Sequence, residues 1–136
     1  MEIQACIEQF MQDSVLPELL STPLPDAAAS AVVDHLKSEA DRYWFIDPNH
    51  SLELADRIIA IGRAREDRAQ TALGLMARGD ALKFLGRPQE AWEMLEEAGT
   101  MFQAVGHEVG WARTRIGRLD LGVKLNRLDE TLADVG

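Results

Sequence analysis

Cysteine is all but missing from this chain: Cys6 stands alone among 136 residues. An intramolecular disulfide and a cysteine metal cluster are therefore excluded. β-Branched and aromatic residues are also few, and no stretch alternates apolar with polar residues, which argues against a sheet. No run approaches the roughly 18–20 apolar residues of a membrane span. The opening MEIQACIEQF is acidic where a secretory leader would be basic. Basic residues are scarce early on: residues 1–56 hold 11 acidic and 2 basic side chains (net −9), and residues 57–136 hold 12 of each (net 0). A total of −9 argues against nucleic acid as a partner, since binding a phosphate backbone needs a basic surface. It argues equally against an anionic membrane surface. The acidic first part reads as a solvated face, with a surface for a basic partner as the alternative. A cytoplasmic location is expected by default.

Catalytic and cofactor motifs are absent as well. Gly74, Gly79 and Gly86 are not followed by Gly-Lys-Ser/Thr, and no strand precedes them, so a phosphate loop and a dinucleotide fingerprint are both missing. There is no G-x-S-x-G and no H-E-x-x-H. His35 and Glu39 stand four apart on one predicted helix, but two ligands do not close a metal site. His50 and His107 fall at predicted helix starts and read as surface or capping residues. Cys6 reads as a small core residue of the first helix rather than a nucleophile. No cofactor, metal or enzymatic activity is expected.

What remains is a chain of helix signals. Ile3, Cys6, Ile7, Phe10 and Met11 recur at helical spacing over residues 2–13. Pro17, Pro23 and Pro25 make 14–25 a connector. Asp26 is the expected N-cap of a helix running through AAASAVVDHLKSEADRYWF, ended by Asp47-Pro48-Asn49. A further helix begins at His50 or Ser51, with Leu54, Ile58 and Ile61 on one face, and the chain turns near Glu66-Asp67. The next helix reaches Leu85 and ends at Gly86-Arg87-Pro88. Over 89–105, Ala91, Leu95, Ala98, Phe102 and Val105 form a stripe, and Gly106 suits the helix end. Another helix spans about 108–125, and one more begins near Asp129.

Shifted by about forty positions, the chain partly overlays itself. Ala72, Arg78, Asp80, Leu85, Arg87 and Glu90 meet Ala112, Arg118, Asp120, Leu125, Arg127 and Glu130. Each unit is thus a helix, a tight turn and a second helix, with units at 32–71, 72–111 and an incomplete 112–136. Residues 1–25 form an N-terminal helix and connector, and 26–136 the repeat domain. A hairpin of this kind cannot bury its apolar face alone, so neighbours are expected to stack.

The central unit resembles a tetratricopeptide repeat. Gly79 fits that family's small residue in mid-helix A, Gly86 its turn glycine, and Ala91 and Ala98 its two small positions in helix B; Leu75, Leu82 and Leu95 stand near its large apolar positions. Arg78 departs from the pattern, standing where the family has Leu, and the period is nearer 40 than 34. The resemblance implies an all-α, right-handed solenoid of antiparallel helix pairs with six to seven helices. Longer repeats of this kind look like those in bacterial arrays that precede a caspase-like CHAT peptidase or another output domain.

In that family the helix A side chains line a concave groove. The resemblance then assigns the groove to Leu36, Ala40, Tyr43 and Trp44, to Leu73, Met76, Asp80, Lys83 and Phe84, and to Arg113, Ile116, Asp120, Val123 and Lys124. It implies a non-catalytic module that docks a peptide or helix of a partner protein. The alternatives are a regulatory or oligomerisation region of a larger protein, and a small metal-binding protein or enzyme using His35, Glu39 or Cys6. Trp92 and Trp111 read as core, and Glu93, Glu96 and Glu97 as a solvated face. Arg78 and Arg118, being repeat partners, are each expected to pair with an acidic neighbour. Leu121, Leu125 and Leu132 are expected to need cover, from a second chain through self-association at the C-terminal end or from further sequence.

Overall fold

The structure, a computed structural model, describes residues 3–10 and 25–125. The connector up to residue 24, the helix expected near Asp129, and Leu132 lie outside the described residues. The described residues form α-helices: α1 (Ile3–Phe10), α2 (Asp26–Tyr43), α3 (Pro48–Ala64), α4 (Arg68–Phe84), α5 (Pro88–Ala104) and α6 (Glu108–Lys124). No strand occurs among them. The protein is all-α, as its composition and periodicity predict.

From α3 onward the helices are each 17 residues long and start at evenly spaced positions, 48, 68, 88 and 108. A repeated joint sets this spacing. At the end of α4 the N–H of Arg87 reaches the carbonyl of Leu82 (3.0 Å) and that of Gly86 reaches Lys83 (3.3 Å). The same pair of bonds recurs after α3, from Asp67 to Gly62 and Glu66 to Arg63. It recurs after α5, from His107 to Phe102 and Gly106 to Gln103. This is the Schellman arrangement, which consumes carbonyls left open at a helix end. Its central residue is left-handed, with φ of 53° at Glu66, 74° at Gly86 and 72° at Gly106.

At two of these joints the last residue then caps the next helix. Asp67 accepts from the N–H of Gln70 (3.0 Å), and His107 Nδ1 from that of Gly110 (3.0 Å). Asp47 does the same for His50 (3.3 Å), ahead of Pro48 at the first helical position. Helix α3 therefore starts at Pro48 rather than at His50 or Ser51, because proline's fixed φ and missing N–H suit that position. Asp26 is likewise the first residue of α2 and not its cap, which is Pro25. Its carboxylate instead pairs with Arg65.

Joints this short reverse the chain, so consecutive helices pack side by side. The core forms two clusters. One joins α2 and α3 through Val32, Val33, Leu36, Leu54, Ile58 and Ile61, with Ala77 of α4. The other joins α4, α5 and α6 around Trp92, Leu95, Phe102 and Leu121. Leu73 packs against both. The hydroxyl of Ser51 donates to the carbonyl of Ala40 (2.7 Å), tying α3 to α2 inside the core. Leu121, expected to need cover, is already fully buried, because it belongs to the cluster shared with α5 and not to the outer side of α6.

Two glycines let helices approach closely. A Cβ on Gly74 would lie 2.7 Å from the backbone N of Ile59, so α3 and α4 meet there nearly backbone to backbone. A Cβ on Gly79 would lie 3.0 Å from Leu95 and 3.3 Å from the carbonyl of Ala91 on α5. The small residue at mid-helix thus has a packing reason. Each glycine costs its helix about 0.5–1 kcal/mol of propensity, offset by the dispersion attraction between closely packed helices.

Candidate functional site

Helices α2, α4 and α6 alternate with α3 and α5, yet α2 touches α4 and α4 touches α6. Their facing side chains form one continuous surface. Trp44 at the end of α2 stacks at a tilt on Phe84, ring centroids 6.0 Å apart, and Phe45 approaches the same ring at 6.4 Å. Trp44 and Phe84 occupy equivalent positions in successive repeats. Phe45 is 65% and Phe84 47% exposed, so this aromatic shelf is open to solvent. Trp44 caps α2 and stands in the turn, one residue beyond the helix expected to carry it.

A line of alternating charge crosses the same three helices. Lys37 Nζ is 2.5 Å from Asp41 on α2, and Arg113 of α6 lies 3.9 Å from that aspartate. Lys83 of α4 lies 3.2 Å from Asp120 of α6, and Lys124 is 3.3 Å from the same carboxyl. Asp80 sits among these groups, half-buried. Burial raises its pKa to about 6, Asp41 adds to the rise, and Lys37, Lys83 and Arg113 oppose it. Asp120 goes the other way: its hydrogen bond from Lys83 holds the carboxyl below its ordinary value. Equivalent aspartates one repeat apart thus have opposite shifts, because burial dominates at Asp80 and the hydrogen bond from Lys83 dominates at Asp120.

The residues expected to line a groove divide accordingly. Trp44, Asp80, Lys83, Phe84, Arg113, Asp120 and Lys124 share the α2–α4–α6 surface. Leu36, Ala40 and Met76 do not: they are 0%, 1% and 3% exposed and belong to the core, turned toward α3 or α5 by the helical period. Leu73 is half-buried between the two core clusters. Tyr43 turns toward the start of α3, edge-on to His50 at 4.8 Å. Ile116 and Val123 are each 68% exposed on α6, four and three positions from Asp120 and so beside it on the helix surface.

Lys37, Asp41 and Phe45 were not expected at this surface. Their mates in the next repeat are Ala77, Ala81 and Leu85, so the repeat offers no signal for them. Lys37 is especially hidden, lying only 7% exposed while its ammonium reaches the charged line.

The other candidates fall elsewhere. Trp92 is fully buried under Arg118, and Trp111 is partly buried with Arg115 over its ring at 5.6 Å. Arg78 pairs with Asp56 and Arg118 with Glu96, as expected of repeat partners. Glu93, Glu96 and Glu97 lie along the outer side of α5, all three exposed. His35 and Glu39 lie on α2, and Cys6 on α1. Among the described residues no group of three or more His, Cys, Asp or Glu is placed to hold a metal ion, and no helix is long and apolar enough to cross a membrane. A recess of about 530 Å³ opens at the α5–α6 joint beside His107, Glu108 and Trp111, away from the charged line.

No protein-family model matches the chain, and no curated protein or solved structure matches it.

Proposed function

We propose that this protein is a non-catalytic interaction module. Its antiparallel helix pairs stack as a right-handed, tetratricopeptide-like solenoid, and the surface shared by α2, α4 and α6 docks a peptide or helix of a partner protein. The observation that carries the reading is the aromatic shelf of half-buried Trp44 with exposed Phe45 and Phe84, beside the line of charge through Asp80, Lys83 and Asp120. Exposed aromatic rings supply contact area at low entropic cost, and flanking charges set orientation and partner choice. Gly79, Ala91 and Ala98 support the repeat reading, since all three sit at or beside the α4–α5 contact. The proposed location is the cytoplasm, and the proposed ligand is protein rather than nucleic acid or membrane, in keeping with a net charge of −9.

Selection of peptides from a displayed library against the whole chain tests this reading. Selected peptides should bind the Trp44→Ala, Lys83→Ala variant roughly tenfold or more weakly, the loss of about 1.4 kcal/mol. Circular dichroism should find the variant folded, since both side chains are at least partly exposed. Equal affinity for both proteins would reject the surface as the docking site.

A further inference from the structure

Every base in the line of charge on the α2–α4–α6 surface already has a carboxylate. Asp41 takes Lys37 and Arg113. Asp120 takes Lys83 and Lys124. Asp80 is left over: among the described residues its carboxylate takes no hydrogen bond and no ion pair. Charged groups nonetheless face it from each helix of the surface, Lys37 and Asp41 from α2, Lys83 from its own α4 and Arg113 from α6. Burial disfavours its charge more than the surrounding bases favour it. Phe84 stands four positions further along α4, so its ring lies beside the carboxylate on the same face. Trp44 extends that ring into a shelf.

We infer that Asp80 receives a cationic side chain of the docked partner, an arginine or lysine whose charge meets the carboxylate while its stem lies along Trp44 and Phe84. The inference rests on the docking reading and names the chemistry of the partner. Pairing selects a cation first. An acidic segment would have to take bases that Asp41 and Asp120 already hold, whereas a basic one meets the carboxylate that has no base of its own. The rings select the same charge. An aromatic face attracts a cation, and a guanidinium can stack on the ring while its fork of N–H groups reaches a carboxylate. Phe84 already draws one cation of this chain, with Lys83 Nζ 5.7 Å from the centre of its ring. Net charge agrees, since a chain of −9 steers a basic partner toward itself. A carboxylate held half-buried and unpaired in the free protein, and paired on docking, serves recognition at the expense of stability.

Fluorescence anisotropy with histidine-free peptides, selected from a displayed library against the whole chain, tests the inference. Peptides weakened by Trp44→Ala dock on the shelf, and these should carry an arginine or lysine beside an apolar residue. Replacing that cation by glutamine should weaken binding roughly tenfold, and Asp80→Asn should do the same. The two changes together should cost little more than either alone, as expected of groups that meet each other. Asp80→Asn keeps the shape of the side chain and removes a buried charge, so lost binding in a protein no less resistant to urea separates recognition from folding. The pH dependence has a definite sign. In the free protein the carboxyl takes up a proton below about pH 6, and the cation must displace it. Affinity should be level above about pH 7 and fall roughly tenfold by about pH 5, and Asp80→Asn should abolish the fall. Shelf-bound peptides without a cation, equal affinity of wild type and Asp80→Asn, or tighter binding in acid would overturn the inference and leave the docking surface standing. A library yielding no peptide weakened by Trp44→Ala would overturn the inference and the docking reading together.

Discussion

Arg118 lies with its guanidinium carbon 4.1 Å above the ring of Trp92 and a terminal nitrogen 3.3 Å from the carboxylate of Glu96. One repeat earlier, Arg78 makes the matching contact with Asp56, again 22 residues back. The repeat thus exists in side-chain contacts as well as in residue identity. The two pairs differ in environment: the Arg118 side chain is 5% exposed and that of Arg78 28%. Arg118→Ala should cost about 2–3 kcal/mol, from a desolvated cation–π contact and lost packing of the stem. Arg78→Ala should cost at most about 1 kcal/mol, as a more exposed pair. Urea unfolding of the two variants measures both.

Asp80 should make stability rise on mild acidification. Its folded pKa, about 6, exceeds the ordinary carboxyl value of 3.8. The native state therefore binds the proton more tightly than the unfolded chain. The penalty of burying the charge is complete above about pH 6, and it is relieved progressively as the pH falls from there toward 3.8. The charged groups facing this carboxyl are Lys37, Lys83, Arg113 and Asp41. Asp80→Asn should be more stable than wild type at pH 7, by on the order of 1–2 kcal/mol. The difference should shrink toward pH 4. Urea midpoints of both proteins across that range would refute the assignment if they ran parallel.

The three joints after α3, α4 and α5 predict opposite effects of glycine. Glu66 occupies with φ 53° the position held by Gly86 and Gly106 in the other two. Glu66→Gly should stabilise the protein by up to about 1 kcal/mol, relieving left-handed strain. Gly86→Ala should destabilise it by about 1 kcal/mol, although a Cβ there would meet nothing within 4 Å. Thermal unfolding, read as shifts of Tm in opposite directions, checks the pair.

Gly74→Ala tests the close approach of α3 and α4. Alanine is the better helix former by about 1 kcal/mol, and propensity alone predicts a gain. The Cβ would instead lie 2.6 Å from the Ile59 side chain and 2.7 Å from its backbone nitrogen. Backbone cannot step aside as a side-chain tip can, so we expect a net loss of about 1–3 kcal/mol in urea unfolding.

Much of the architecture was legible in the sequence because it rests on local physics. Period-3.6 apolar spacing marks the helices found at α2 through α6. Glycine and proline mark the joints at Gly86-Arg87-Pro88 and Gly106, where a left-handed residue followed by a helix start is needed. The pairing of Arg78 and Arg118 with acids follows from the register alone. Trp44, Lys83, Phe84 and Asp120 share a surface, as the repeat register implies.

Tertiary structure decided the rest, and the reason is angular. On a helix each residue turns about 100°, so neighbours one or two positions apart face different partners. Leu36 and Met76 fall on the open face by register and are core, while Ile116, the register mate of Met76, is exposed because no described helix covers it. Lys37 and Asp41 entered the charged line only because packing of α2 and of α6 on α4 brought them near Arg113. The opposite shifts of Asp80 and Asp120 belong to identical residues at equivalent positions. Burial of Asp80 and the hydrogen bond from Lys83 to Asp120 separate them, and both are properties of the assembled helices. The sequence by itself determined where the chain bends and which residues are apolar; the assembly determined which apolar faces are filled and which charges meet.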